Sequence, residues 1–287
     1  MRTLIEALRS DSSVFAAELR PPRAELASGE GIDAWIDTYH AVRRLTRDET
    51  FVCLTDSAVG ADEEDNLRHL MINVGADAPL PRIVPFLTCK HPLPFCLGYA
   101  DRARQHGFRS LVVLGGDRHI GTPRCVEHAW QLRKLIRERE PDLVLGGWAN
   151  PAGDAERQVA YLADSTFYAD FFLTQIVSHH HLAPIDRFLD ERARRGVDVP
   201  GLFGVFFYRS ANPRTLEALA NFLPVPQEAL AREFAEGATA EDVCARTIRA
   251  LRDRGVRHVY ISNLPNGSAH RTLAAIRDRV EGQVPQP

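Results

Sequence analysis

Apolar, β-branched and aromatic residues gather along the chain in eight short runs: Val14 to Leu19, Phe51 to Leu54, Ile83 to Leu87, Ser110 to Leu114, Leu143 to Leu145, Ala169 to Leu173, Leu202 to Phe207 and His258 to Ile261. Their length and composition predict strands. Helical stripes lie between them. Cys125, Ala129, Leu132 and Ile136 recur at intervals of four, three and four, and Ala269, Leu273, Ile276 and Val280 repeat that spacing after the last run. Thr239 and Asp242 form a capping-box pattern ahead of the helix that ends at Gly255.

Gly75, Gly107, Gly196 and Gly255 each close a polar helical stretch just before a β-rich run. Glycine suits the left-handed position past a helix end, where a side chain would clash. Their separations are close to one, three and two multiples of roughly 30 residues, the length of a β-α unit. Eight strands alternating with helices over about 250 residues predict the α/β class and a single (β/α)8 TIM barrel. An open doubly wound sheet is the alternative, but no GxGxxG follows the first strand. No linker divides the chain into domains. A short helix is expected before the first strand, and the tail beyond about residue 280, EGQVPQP, reads as frayed.

Composition narrows the function classes. Of 287 residues, 45% are apolar and 25% charged, and the formal charge is −3, which excludes a disordered, collagen-like or strongly basic nucleic-acid-binding chain. No apolar run approaches the roughly 18 residues of a membrane span. The start, MRTLIEALRSDSS, carries Glu6 and Arg9 where a signal peptide needs apolar residues, so a cytoplasmic location is expected. Cys53, Cys89, Cys96, Cys125 and Cys244 are odd in number and form no CxxC pair, which argues against structural disulfides and a zinc ribbon. Only Lys90 and Lys134 are lysines, and the excess of arginine reflects genome composition more simply than RNA binding.

A barrel of this class places its chemistry at the carboxyl ends of the strands. There the chain is polar: Glu18, Thr55-Asp56, Thr88, Gly115-Gly116-Asp117, Thr174-Gln175 and Ser262-Asn263. Glu18 interrupts the apolar stretch VFAAEL. Desolvation on the barrel axis would raise its pKa and suit a general acid at neutral pH, the alternative being a structural ion pair with an arginine. Asp117 follows two glycines that would let a ligand approach the backbone, or else serves as a turn or N-cap aspartate. Gln175 offers donor and acceptor together, matching the amide edge of a heterocycle, or is a satisfied core glutamine.

His179-His180-His181 invites a zinc reading, but adjacent side chains in an extended segment point to opposite sides. No metal site is therefore expected, and an anion contact or a loop role is preferred. Lys90-His91 and Arg118-His119 follow the third and fourth strands, where cations would meet phosphates or glutamyl carboxylates unless they are solvated loop charges.

Taken in order, these strand ends resemble those of the methylenetetrahydrofolate reductase family. Glu18-Leu19-Arg20-Pro21-Pro22 has the form of its first-strand motif. Phe86-Leu87-Thr88-Cys89 matches a His-Leu-Thr-Cys motif, and Leu114-Gly115-Gly116-Asp117 a Leu-Arg-Gly-Asp motif. Thr174-Gln175 and Tyr260-Ile261-Ser262-Asn263 complete the series over nearly the whole chain. The resemblance implies reduction of 5,10-methylenetetrahydrofolate to 5-methyltetrahydrofolate. It implies Glu18 as the acid that protonates N10, Asp117 as the anion stabilising the iminium cation at N5, and Gln175 on the pterin. Thr88 and Asn263 are the other expected folate contacts.

The departures bear on the cofactor. In the usual flavoprotein members the third-strand His and fourth-strand Arg contact FAD, and here they are Phe86 and Gly115. A basic residue expected near the end of the fifth helix has no counterpart in Leu162-Ala163-Asp164-Ser165, and the loop Gly146-Gly147-Trp148-Ala149-Asn150-Pro151 reads as short. The chain resembles the atypical mycobacterial-type reductases that work without flavin. That implies direct hydride transfer from NADH as co-substrate, FAD being absent, with Thr55, Phe86 and Trp148 as candidate contacts of the nicotinamide dinucleotide. Three alternatives stand beside it. One is an FAD-dependent member with altered flavin contacts. Another is a barrel lyase or hydrolase using Glu18 and Asp117, with Pro265-Asn266-Gly267-Ser268 as a faint phosphate loop. The third is a non-catalytic folate-binding barrel.

Overall fold

The computed structural model describes residues 2–22, 28–57 and 78–282. The strands β1 (Val14–Leu19), β2 (Phe51–Leu54), β3 (Ile83–Thr88), β4 (Ser110–Leu114), β5 (Val144–Ala149), β6 (Phe171–Val177), β7 (Gly201–Phe206) and β8 (His258–Ser262) are all parallel. They close in sequence order, β8 returning to β1, as a single (β/α)8 TIM barrel. The described helices are α1 (Leu4–Leu8), α2 (Ser28–Arg47), α3 (Leu93–His106), α4 (Ala129–Arg139), α5 (Ala155–Ala163), α6 (Ala183–Arg195), α7 (Pro213–Ala220), α8 (Gln227–Ala235), α9 (Ala240–Arg252) and α10 (Ala269–Val280). Between β7 and β8 stand three of them, so α7 and α8 form an insert ahead of α9.

The two-residue side-chain period of a strand divides the apolar residues into two layers. Val14, Ala16, Phe51, Cys53, Val84, Phe86, Val112, Phe171, Leu173, Leu202, Phe206 and Tyr260 make one cluster inside the barrel. Their neighbours Ala17, Leu19, Val52, Leu54, Leu87 and Val113 pack outward with Leu132, Ile136, Ile248, Leu273 and Ile276 of the helices. Because Glu18 shares the phase of Val14 and Ala16, the strand carries its carboxyl inward.

Local rules account for the helix ends. Gly107, Gly196 and Gly255 have φ of +99°, +63° and +79°, and the first two cap α3 and α6. Gly75 lies outside the described residues. Thr239 Oγ1 accepts from the Asp242 N–H at 3.2 Å while Asp242 Oδ2 accepts from Thr239 N at 2.9 Å, the reciprocal capping box of α9. Ala269, Leu273, Ile276 and Val280 are all buried on α10. The stripe through α4 is shorter than its spacing suggested: the helix begins at Ala129, and Cys125 stays in the loop, its N–H bonded to the Cys89 carbonyl at 2.7 Å.

Two strands differ from expectation for tertiary reasons. β5 continues through Gly146-Gly147-Trp148-Ala149, which reads as loop in the sequence. A Cβ on Gly146 would lie 2.6 Å from the Phe171 ring, and one on Gly147 2.5 Å from the Phe167 ring, so these glycines make space for aromatic neighbours inside a strand. β6 runs past Thr174-Gln175 to Val177, and its pairing with β7 shifts register between Leu173 and Ile176. Thr174 and Gln175 therefore sit at an irregularity within the strand rather than at its end.

Candidate active site

Glu18 faces Cys53 across the β1–β2 ladder, and Ser262 of β8 donates its hydroxyl to Glu18 Oε1 at 2.5 Å. No arginine partner pairs with it among the described residues, which sets aside the structural ion-pair reading. Burial raises the carboxyl above its ordinary pKa, and the Ser262 hydrogen bond offsets only part of that rise. The same desolvation pushes up the Cys53 thiol and the Tyr260 phenol, each with a further contribution from Glu18. Glu18 thus holds its proton more tightly than an exposed carboxyl does.

Around it the inward phase of the other strands places Phe86 from β3, Trp148 from β5 and Phe206 from β7, with Tyr208 just beyond. Phe86 is buried and Trp148 half-buried, both against the interior cluster. Tyr208 packs against Phe206 with ring centroids 4.8 Å apart and tilted by 52°, and its buried hydroxyl has no hydrogen-bond partner among the described residues. Sequence reading passed over Tyr208. Its signal was an aromatic hydroxyl in the inward phase of the run Phe206-Phe207-Tyr208. An unsatisfied buried hydroxyl costs about 1–3 kcal/mol, so a polar ligand atom at this position would be welcomed.

Gln175 accepts the Ile176 N–H on Oε1 at 2.9 Å, which leaves its amide NH2 as the group a heterocycle would meet. Asp117 is partly exposed in the loop after β4. Its Oδ1 accepts the N–H groups of His119 at 2.8 Å and Ile120 at 3.0 Å, the first of these being the main reason its pKa is lowered. The turn role is therefore real, and it also keeps the carboxylate ionised at the rim.

Other candidates are already engaged within the protein. Thr88 is buried, its N–H and hydroxyl both donating to Asp56 Oδ2 at 2.6 and 2.9 Å. Asn263 has φ +68° and donates Nδ2 to the Phe207 carbonyl at 3.0 Å, tying β8 to β7. Thr55 donates its N–H to the Leu19 carbonyl at 3.1 Å at the end of β2. Lys90 is not a rim cation: it is buried, and Nζ donates to the carbonyls of Ile120 and Thr122 at 2.7 Å each, strapping the loop that carries Asp117. His91 sits on Asp56 at 2.9 Å, whereas Arg118 and His119 are exposed.

The glycines before Asp117 do not leave an open approach. Gly116 has φ +72°, and the Arg124 guanidinium lies against Gly115, 2.7 Å from where a Cβ would stand, with Nη2 donating to the Gly116 carbonyl. Arg124 thus returns a cation to the neighbourhood of position 115, which no local pattern in the sequence signals. The five cysteines are all unpaired. The histidine run also differs from expectation. Residues 178–181 form a turn closed by the His181 N–H on the Ser178 carbonyl at 3.0 Å, so His179 and His180 stack with ring centroids 3.9 Å apart instead of pointing to opposite sides.

Comparison with known proteins places these features in context. The family model for methylenetetrahydrofolate reductase matches residues 3–272. No curated protein sequence matches the chain. Among solved structures, the fold is similar to an uncharacterized protein from Clostridium thermocellum that binds two copies of 5-methyl-5,6,7,8-tetrahydrofolic acid. The TM-score is 0.70 at 14% identity, covering 96% of this chain and 98% of that one. It is also similar to 2,3-dimethylmalate lyase, a member of the PEP mutase/isocitrate lyase superfamily, with TM-score 0.51 at 13% identity and coverage of 98% and 86%.

Proposed function

The chain belongs to the methylenetetrahydrofolate reductase family, and we propose that it reduces 5,10-methylenetetrahydrofolate to 5-methyltetrahydrofolate with hydride taken directly from NADH. The observation that carries this reading is Glu18: one carboxyl, desolvated and held by Ser262, on the inner wall of the barrel. Its proton goes to N10 as the C–N10 bond of the methylene bridge breaks, leaving an iminium at N5. NADH supplies the hydride that adds to the methylene carbon, giving the N5-methyl product and NAD+. Glu18 then regains a proton from solvent. Asp117, kept ionised by its two N–H donors, lowers the energy of the cation, and the Gln175 amide hydrogen-bonds the pterin. Phe86 and Trp148 supply the apolar surface for the nicotinamide. A folate occupant agrees with the ligand of the similar Clostridium thermocellum protein.

The proposal that no flavin takes part rests on Phe86 and Gly115 standing where flavoprotein members carry a His and an Arg. Charge-assisted hydrogen bonds contribute roughly 1.5–3 kcal/mol each, so losing two weakens a diphosphate by about two to four powers of ten. One observation favours a second reading, FAD-dependent reduction: the Arg124 guanidinium against Gly115 restores a cation there. Folate-dependent NADH oxidation by the purified protein without added flavin separates the two. The flavin-free reading expects a colourless protein, turnover unchanged by FAD and intersecting double-reciprocal plots. A stoichiometric flavin band, or parallel plots, would assign the reaction to FAD.

A further inference from the structure

The loop after β6 and the insert helix α8 meet in a cluster that the reduction does not use. Glu233 of α8 presents one carboxylate oxygen to each of two histidines: Oε1 is 3.1 Å from His179 Nε2, and Oε2 is 3.2 Å from His180 Nε2. The three donor atoms lie within 4.8 Å of one another. His180 Nε2 and Glu233 Oε2 are buried, misaligned for a hydrogen bond to each other, and have no other hydrogen-bond partner among the described residues. A cation between these two atoms would satisfy both.

The remaining contacts orient the cluster. Thr247 Oγ1 of α9 hydrogen-bonds His179 Nδ1 at 2.8 Å, and His179 Nε2 hydrogen-bonds the Glu233 carboxylate at 3.1 Å. A cation that takes the place of the proton on Nε2 leaves Nδ1–H to donate to the Thr247 hydroxyl. A metal-ligating histidine is ordinarily fixed in this way, through a hydrogen bond from its other ring nitrogen. Arg246 holds Glu233 Oε1 at 2.5 Å from the solvent side, leaving Oε2 as the ligand oxygen. A zinc ion with bonds of about 2.0–2.2 Å separates tetrahedral ligands by about 3.3–3.6 Å, close to the 3.2 Å between His180 Nε2 and Glu233 Oε2 and within the 4.8 Å that spans all three donors.

We infer that His179, His180 and Glu233 form a binding site for one divalent transition-metal ion of the zinc class, fastening the insert helix α8 to the loop after β6. Two imidazoles and one carboxylate suit zinc or cobalt better than magnesium or calcium, which prefer oxygen ligands throughout. Three protein ligands leave a fourth tetrahedral position for water.

Chelator-treated full-length protein titrated with Co2+ tests the site directly, without reference to the reductase reading. One equivalent is expected to give intense visible bands of tetrahedral cobalt, which one equivalent of Zn2+ then abolishes. Thr247→Val should weaken binding by about 10–100-fold by releasing His179, and His180→Gln or Glu233→Gln by at least about tenfold. Absence of a saturable band in the wild-type protein would overturn the inference, whatever the variants do. So would wild-type affinity in the His179→Gln/His180→Gln double variant with its circular dichroism unchanged.

Discussion

Replacing Glu18 by Gln should remove most of the turnover and at the same time stabilise the protein at neutral and alkaline pH. The amide keeps the shape of the side chain and still accepts the Ser262 hydroxyl, so the barrel wall is little disturbed. It delivers no proton to N10, and loss of general-acid catalysis typically costs about 10²–10⁴-fold, or roughly 3–5 kcal/mol of transition-state stabilisation. The stability effect runs in the opposite direction. The carboxyl has an ordinary pKa of 4.5 when exposed and a higher one when folded, because burial disfavours its charged form. The unfolded chain therefore gives up this proton first, and stability falls as pH rises from about 4.5 to the folded pKa, by at most about 1.4 kcal/mol per pH unit. Gln carries no such penalty. Its stability advantage over the wild type should be small in acid, grow through that window, and stay constant above it. Urea denaturation at a series of pH values, beside NADH oxidation with and without folate, reads both effects. Retention of more than about a tenth of wild-type activity would remove Glu18 from the acid role. A variant less stable than wild type at every pH would show that the carboxyl is not desolvated.

Asp117→Asn keeps an oxygen for the N–H groups of His119 and Ile120, so the turn should persist and kcat should fall, by a smaller factor than for Glu18→Gln. An effect confined to KM would instead make Asp117 a ground-state binding residue. Gly204→Ala tests the packing of the barrel interior: its Cβ would lie 2.5 Å from Tyr260 Oη, which donates to the Thr174 carbonyl, and overpacking of this kind costs about 1–3 kcal/mol. An unchanged urea midpoint would show that the ring has room to move.

Short-range rules were enough for much of this protein. A glycine past a helix end, a reciprocal Thr239–Asp242 cap and an apolar run of strand length act over a few residues, so β1, β2 and β4 keep the bounds their sequences suggested. The strand period also carried Glu18 to the inside of the barrel. What the pattern lacked was the identity of each neighbour across the closed sheet. Gly146 and Gly147 read as loop because nothing local reveals that the rings of Phe171 and Phe167 fill the space beside them. Ser262 reaches Glu18 across 244 residues of chain, a partnership that exists only because β8 closes on β1. In the same way Lys90 became a strap, Arg124 came to lie on Gly115, and a turn brought His179 and His180 together over Glu233. Backbone preference is a property of a residue and its chain neighbours, and the sequence carries it directly. Which polar atoms meet depends on how the barrel closes and where its loops fold back, and only the assembled tertiary structure decides that.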